Sequence, residues 1–182
     1  MSTEWISRGR CHVFGSDIVH DNGIMDFKFV LARQTDAEIL KPHLFETIDP
    51  DFAKRVQPGD FIIAGKRFSG GKAHSTGYIP MAALGLRVLC ESSFERVLRG
   101  AANLGLPVMS HCQGITAEVA NGELIEVNML TGEVYCPRTE RTLRYPPLRE
   151  DLRKLIESGG RIGLLKQWLV DHPEMAEPLE VQ

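Results

Sequence analysis

Hydrophobic residues in the middle of the chain alternate with turn residues in a regular order. The apolar run 61–64 predicts a buried strand, and residues 78–84 predict a short helix. Apolar segments at 86–90 and 106–109 predict two further strands, and the segment between them, up to about residue 103, predicts a helix. A strand, a helix and a strand at this spacing imply parallel pairing through a right-handed crossover.

Capping residues indicate where the helices begin. Ser92 or Ser93 is placed to cap the helix that follows the strand at 86–90. Asp49, followed by a proline, is placed to cap another short helix. A capped helical turn is also expected at 35–40.

The flanking segments predict the rest of an α/β domain. Residues 9–15 predict a first strand that ends at Gly15, and residues 27–31 form an apolar patch. Beyond the central region the pattern predicts hairpin-linked strands and then helices: a meander at 115–119, 123–129 and 133–136, an extended segment at 143–147, and helices at 148–158 and 162–170. The tail beyond them is expected to fray.

Composition excludes several classes of protein. With 43% hydrophobic and 25% charged residues, the chain is typical of a soluble globular protein. A net charge of −3 argues against a nucleic-acid partner, and no apolar run is long enough to cross a membrane. The N-terminal residues lack a secretory signal pattern, so we expect a cytosolic protein. The four scattered cysteines favour buried thiols over a metal site or a disulfide framework.

The glycine-bearing stretch at 65–77 lies between the strand at 61–64 and the helix that starts at residue 78. Free N–H groups and the positive end of a helix dipole at such a turn favour an anion. Lys72 and His74 add a cation and a group that titrates near neutral pH. A purely structural or solvated turn is the alternative interpretation.

A second polar cluster lies in the turn that follows the first predicted strand. Asp17, His20 and Asp21 are spaced so that they can form a carboxylate–imidazole cluster suited to acid–base chemistry. The alternative is that the two aspartates cap turns and that His20 is an ordinary surface histidine.

Four blocks of the sequence, in order between residues 9 and 169, resemble the small subunit of isopropylmalate dehydratase, the swivelling domain of the aconitase superfamily. They are the glycine-arginine start and acidic turn at 9–21, the isoleucine-aspartate-proline block and strand at 48–65, the alternating core at 83–108, and the C-terminal helical region at 148–165.

The resemblance implies one three-layer β/β/α swivelling domain with a mixed sheet and a C-terminal helix. It would span residues 1–182, with a core at about 9–169 and a frayed tail at 170–182. It also implies a partner, a large subunit that carries a four-iron, four-sulfur cluster, and a small hydroxy-carboxylic acid as substrate. The open iron of that cluster would be the Lewis acid, and this chain would bring no metal of its own.

The glycine stretch is where the chain departs from the family pattern. The family's loop reads phenylalanine-glycine-cysteine-glycine-serine-serine-arginine-glutamate, which falls on residues 68–75 here. Its catalytic serine falls on Lys72, its carboxylate-binding arginine on His74 and its glutamate on Ser75. The family's threonine–aspartate pair falls on His20 and Asp21, so that only the aspartate is kept.

Three interpretations of these departures follow. The first is an active hydro-lyase subunit with an altered substrate, in which Lys72 acts as a base if burial or neighbouring cations favour its neutral form. The second is a swivel subunit without catalysis, and the third is isopropylmalate dehydratase proper with unusual residues. In the first interpretation Lys72, His74 and Asp21 are catalytic, and the substrate contacts are Gly70, Gly71, Ala73, Ser75, His20 and Lys28.

Overall fold

The computed structural model describes residues 4–72 and 74–175. Its strands are β1 (Ile6–Val13), β2 (Phe61–Ala64), β3 (Arg87–Cys90), β4 (Val108–Met109), β5 (Leu124–Asn128), β6 (Glu133–Cys136) and β7 (Arg141–Arg144). Its helices are α1 (Phe27–Leu31), α2 (Ala37–Leu40), α3 (Phe52–Arg55), α4 (Tyr78–Ala83), α5 (Glu95–Ala102), α6 (Ile115–Glu118), α7 (Glu150–Glu157) and α8 (Gly160–Asp171).

The strands form one seven-stranded mixed sheet in the order β4-β3-β2-β1-β5-β6-β7. β1 lies between the parallel half of this sheet (β2, β3 and β4) and its antiparallel half (β5, β6 and β7). Its C-terminal part pairs in parallel with β2, with Cys11 opposite Phe61, and its N-terminal part pairs antiparallel with β5. The predicted α/β class with a mixed sheet is confirmed, as is the predicted parallel pairing of β3 and β4. β2 also pairs in parallel with β3.

β2 lies inside the parallel half, and all four of its side chains are fully buried. A strand that is covered on both faces needs apolar side chains at every position. For this reason the run 61–64 could be recognised as a buried strand from sequence. α5 buries Val97, Leu98, Ala101 and Ala102, which recur on one face of the helix. Because β1 and β2 are parallel, their C-terminal ends place the loops at 14–26 and 65–77 side by side.

Several sequence predictions are wrong in detail. Residues 115–118 form α6 instead of a strand: Gly114, with a left-handed backbone (φ 76°), is the residue from which the helical turn starts, and Ile115 packs into the core. α5 starts at Glu95 without a side-chain cap, and α3 starts after Asp51. Asp49 instead forms an ion pair with Arg55.

The remaining differences concern the ends of elements. The patch at 27–31 is α1, whose N-cap Asp26 accepts a hydrogen bond from the backbone N–H of Lys28 at 2.8 Å. β1 ends at Val13 instead of Gly15. None of the helices in the described ranges is long and apolar enough to cross a bilayer.

Candidate functional site

Two loops at the C-terminal edge of the parallel half contact each other through a short parallel bridge. The N–H of Gly70 donates to the carbonyl of Ile18 at 3.1 Å, and the N–H of His20 donates to the carbonyl of Gly70 at 2.9 Å. This bridge joins the 14–26 loop to the glycine-bearing loop at 65–77. Gly70 therefore serves through its backbone to hold the two loops together.

The bridge brings Asp21 and His74 into direct contact. Nδ1 of His74 lies 2.8 Å from Oδ1 of Asp21, although 53 positions separate them along the chain. About a quarter of each side chain is exposed, so the pair lies at the surface where the two loops meet. The carboxylate accepts a hydrogen bond from Nδ1–H, which leaves Nε2 of His74 as the ring nitrogen available to a ligand.

His20, in contrast, is fully buried below that pair. Its Nδ1 lies 3.0 Å from Oγ of Ser69, which in turn lies 2.7 Å from the hydroxyl of Tyr78. The N–H of Gly77 donates to Nε2 of His20 at 3.4 Å. Because a backbone N–H can only donate, Nε2 is the acceptor and the neutral ring carries its proton on Nδ1. Burial lowers the pKa of His20 to about 4, in agreement with a neutral ring.

Neighbouring residues leave just enough space for the ring of His20. Ser69 has a left-handed backbone (φ 58°) at the position where the family pattern has glycine. A Cβ on Gly77 would lie 2.9 Å from Cε1 of His20 and 2.8 Å from a methyl group of Ile24, so that a larger residue would displace the ring. The imidazole thus occupies space that glycine at position 77 leaves open.

Lys72 projects from the tip of the glycine-bearing loop and is exposed. Among the described residues it has no ion-pair partner. The carbonyl of the neighbouring Gly71 accepts a 2.6 Å hydrogen bond from the guanidinium of Arg96 on α5. That bond anchors the tip of the loop to the helix behind it. Ala73 lies outside the described residues.

The start of α4 is not open to an anion in the way that the sequence suggested. The carbonyl of Ser75 accepts hydrogen bonds from the N–H groups of Tyr78 and Ile79, both at 3.0 Å, and the N–H of Gly77 is directed to His20. The hydroxyl-bearing side chain of Ser75 is exposed. Any ligand at this loop is therefore bound by side chains more than by the helix dipole.

The last predicted contact, Lys28, lies on α1. Its ammonium group forms a 3.0 Å ion pair with Asp26 and lies 4.9 Å from the centre of the Phe29 ring. The ring of Phe27, on the same helix, is 6.0 Å from the ring of His74. α1 thus lies beside the His74–Asp21 pair, and Lys28 is held on this helix by Asp26 and Phe29.

The predicted cluster of Asp17, His20 and Asp21 does not form. Asp17 forms a bidentate ion pair with Arg67, one of whose two bonds is 2.5 Å long. The hydrogen bond from Arg67 lowers the pKa of Asp17. Each of the three side chains therefore has a separate partner on the 65–77 loop, and together they attach one loop to the other.

Sequence reasoning missed the residues that support this site. Tyr78 and Arg96 sit on helices and have no motif that marks them. The two serines expected to cap α5 instead hold the glycine-bearing loop: Ser92 Oγ accepts from the N–H of Arg67 at 3.0 Å, and Ser93 Oγ donates to the carbonyl of Phe68 at 2.8 Å. The one available signal was the serine that replaces glycine at position 69.

The described part of the chain, residues 4–72 and 74–175, contains no group of three or more His, Cys, Asp or Glu side chains arranged to hold a metal ion. Cys11, Cys90, Cys112 and Cys136 are all buried free thiols, which confirms the expectation drawn from their scattered positions. Burial raises the pKa of each, to about 12 in Cys112.

Comparison with known proteins gives consistent relatives. No protein-family model matches the chain. The 3-isopropylmalate dehydratase small subunit 1 of Methanopyrus kandleri is 36% identical over 163 residues, which cover 89% of this chain and 94% of the relative. The isopropylmalate/citramalate isomerase small subunit of Methanocaldococcus jannaschii is 32% identical over 167 residues, which cover 91% and 97%. The crystal structure of 3-isopropylmalate dehydratase from the latter organism matches with a TM-score of 0.80 at 28% identity, covering 94% of this chain and 99% of that one.

Proposed function

The chain belongs to the 3-isopropylmalate dehydratase small-subunit family, and we propose that it is the small subunit of an aconitase-type hydro-lyase with an altered substrate. The observation that carries the proposal is the 2.8 Å contact between His74 and Asp21 where the two loops meet. We also propose that the whole chain is one swivel domain and that it acts in the cytoplasm.

We infer that two roles have changed places along the glycine-bearing loop. The family pattern has a base at the position of Lys72 and a cation at the position of His74. This chain has a cation at the first position and a base at the second. The loop would then keep both chemical functions but present them in exchanged order, and inert side chains at these positions would have kept neither.

In this proposal His74 is the general base. Dehydration of a hydroxy acid requires removal of a proton from a carbon next to a carboxylate, and Nε2 of a neutral imidazole is suited to accept it. Asp21 fixes the ring through Nδ1–H and stabilises the imidazolium that forms when the proton is taken. Both residues are partly exposed, so a substrate can reach them.

Lys72 then binds a substrate carboxylate. An ammonium group is a compact point charge and lacks the planar pair of donors through which a guanidinium holds both oxygens of a carboxylate. A substrate held by Lys72 is therefore oriented less strictly at that end than one held by an arginine. Ala73, Ser75, Gly71 and Lys28 remain proposed contacts around it, while Gly70 and His20 support the loop from below.

The partner in this proposal is a large subunit that carries the four-iron, four-sulfur cluster. When bound, that cluster would supply the Lewis acid that assists departure of the hydroxyl group. The small subunit's own task is to hold the carboxylate, to move the proton at Nε2 of His74, and to close over the substrate. The exchanged loop leads us to expect a hydroxy acid other than isopropylmalate as the preferred substrate.

The test is turnover by the complex of this chain with its large subunit, measured across small hydroxy acids. We expect His74→Gln and Asp21→Asn to lower kcat by about 100-fold with little change in KM, because the proton acceptor or its orientation is lost. Lys72→Ala should mainly raise KM, because a charge that holds the substrate is lost.

A matched control is available on the surface. His43 forms a 2.7 Å pair with Glu46 that resembles the His74–Asp21 pair, so His43→Gln should leave turnover unchanged. Loss of kcat in Lys72→Ala with full activity in His74→Gln would contradict the exchanged roles. Unchanged turnover in all three loop variants would show that catalysis lies elsewhere, and no turnover of any hydroxy acid by the unaltered complex would favour a subunit without catalysis.

A further inference from the structure

A cavity of about 480 Å³ is lined in part by the 14–26 loop, the loop that carries Asp21. It opens at the C-terminal end of β1 and is bounded by that loop, by residues near α3 and by the turn before β5. Neither Lys72, His74 nor Asp21 lines it. Its volume is in the range of cavities that bind small molecules, and none of the proposed catalytic roles uses it.

His12 contributes a hydrogen-bond acceptor to this cavity. Its side chain is more than nine-tenths buried, and its Nε2 lies 2.8 Å from Oδ2 of Asp60. Asp60 also accepts from the N–H groups of Arg10 and Gln57, so its oxygens act as acceptors and Nε2–H of His12 is the donor. In its neutral form the ring therefore has its lone pair on Nδ1.

Nδ1 of His12 is the atom that remains for a ligand. It has no hydrogen-bond partner among the described residues. It is also not among the polar side-chain atoms that are both unpaired and completely shielded from solvent. Since His12 lines the cavity, this nitrogen is the ring atom through which its side chain can bond to a ligand there. The aspartate behind it fixes the orientation of the ring.

Three other lining side chains contribute donors. Asn121 Oδ1 accepts from the N–H of Val13, Asn22 Oδ1 from that of Phe27, and Ser16 Oγ from that of Lys66, each at 3.0 Å. These backbone groups can only donate, and they therefore fix which end of each amide is the oxygen. The NH₂ groups of Asn22 and Asn121 and the O–H of Ser16 are the groups left to face a ligand.

The rim of the cavity is apolar and its charges are balanced. Ile48 and Val19 are each about half exposed beside it. The two lining carboxylates, Asp49 and Asp17, are each paired with an arginine. A single negative charge on a ligand can therefore enter without meeting an unpaired carboxylate, and a short apolar branch can cover the exposed rim.

We propose that this cavity is a second ligand site of the chain, for a small carboxylate that carries an adjacent hydroxyl or amino group and a short apolar branch. The amide and hydroxyl donors of Ser16, Asn22 and Asn121 receive the carboxylate. Nδ1 of His12 accepts the hydrogen bond from the adjacent O–H or N–H group. Both hydroxy acids and amino acids carry this combination of a carboxylate and an adjacent hydrogen-bond donor.

Three acids with the same carbon skeleton distinguish a hydroxy-acid ligand from an amino-acid ligand: 2-hydroxyisocaproate, leucine and isocaproate. Binding to the isolated full-length chain is followed by NMR through the side-chain signals of His12, Asn22 and Asn121. We expect one or both of the first two acids to shift these signals, and isocaproate, which has no donor for Nδ1, to bind about tenfold more weakly.

Substitutions then locate the binding. Asn121→Asp keeps the acceptor for the N–H of Val13 but replaces the NH₂ donor by a carboxylate oxygen, so affinity should fall at least tenfold. Asn128→Asp is the matched control. Oδ1 of Asn128 likewise accepts hydrogen bonds from backbone N–H groups, but Asn128 does not line the cavity.

The proposal is overturned if none of the three acids shifts the cavity signals, if isocaproate binds as tightly as the other two, or if Asn121→Asp binds unchanged. It is also overturned if His74→Ala abolishes binding, because the ligand would then lie at the His74–Asp21 pair. These measurements need no large subunit, so their failure is distinguishable from failure of the proposed hydro-lyase activity.

Discussion

His20 and Ser69 both differ from the family pattern, and in the folded chain they are hydrogen-bonded to each other, with Nδ1 of the histidine 3.0 Å from Oγ of the serine. The pair joins the loop that carries Asp21 to the loop that carries Lys72 and His74. The two departures are thus one structural change, in which a buried imidazole and a hydroxyl fill a space that threonine and glycine would leave open.

Substitutions at Ser69 should separate its hydrogen bonds from its backbone strain. Ser69→Ala removes the partner of both His20 and Tyr78 and keeps the left-handed backbone, so we expect a loss of about 2 kcal/mol in the free energy of unfolding. Ser69→Gly loses the same bonds but relieves about 1 kcal/mol of backbone strain. Chemical denaturation should therefore rank the two variants with glycine the more stable, and the reverse order would contradict a strained serine.

The stability of the chain should fall in mild acid because of His20. Its pKa is about 4 in the folded chain and 6.5 in the unfolded one, so between these values the unfolded chain binds a proton that the folded chain does not. Lowering the pH from 7 to 4 should therefore remove up to about 3 kcal/mol of stability through this residue. Denaturation at a series of pH values measures the effect.

The contribution of His20 is isolated by difference, since carboxylates titrate over part of the same range. His20→Gln should flatten the pH dependence between pH 6.5 and pH 4, whereas His43→Gln, which alters a partly exposed histidine, should not. Equal pH dependence in the unaltered chain and in His20→Gln would show that the buried ring is not the titrating group.

Gly77→Ala should destabilise the chain by crowding the ring of His20. The added Cβ would lie 2.9 Å from Cε1 of that ring and 2.8 Å from Ile24, and overpacking of this kind costs about 2 kcal/mol. Gly15→Ala is the matched control, because its Cβ would have no neighbour within 4 Å, and it should change stability by less than about 0.5 kcal/mol. Thermal unfolding of both variants is the measurement.

Arg96→Ala should loosen the tip of the glycine-bearing loop without unfolding the domain. Its guanidinium donates to the carbonyl of Gly71 at 2.6 Å, and the hydrogen bond lies at the surface. We expect faster amide hydrogen exchange at residues 71–75 and a global stability within about 1 kcal/mol of the unaltered chain. Arg99→Ala, three residues further along α5, alters an exposed arginine paired with Glu95 and should leave exchange in the loop unchanged.

Hydrophobic periodicity predicted the strands of the parallel half and the amphipathic helices, because burial against a core depends on the spacing of apolar residues within each element. β2 is the clearest case, with four consecutive apolar residues that are all fully buried. α6 was mistaken for a strand because its four residues are too few to reveal a helical period, and the left-handed Gly114 that starts it has no unique signature in sequence.

The sequence also determined which loop carries the chemistry and which of its positions depart from the family pattern. Only the tertiary structure decided that His74 meets Asp21 while His20 is buried beneath them, because these contacts join residues about 50 positions apart. They depend on the parallel register of β1 and β2, which places the two loops at one edge of the sheet. Local pattern specifies each strand, but the side chains that meet beyond the strand ends are fixed only when the strands pair.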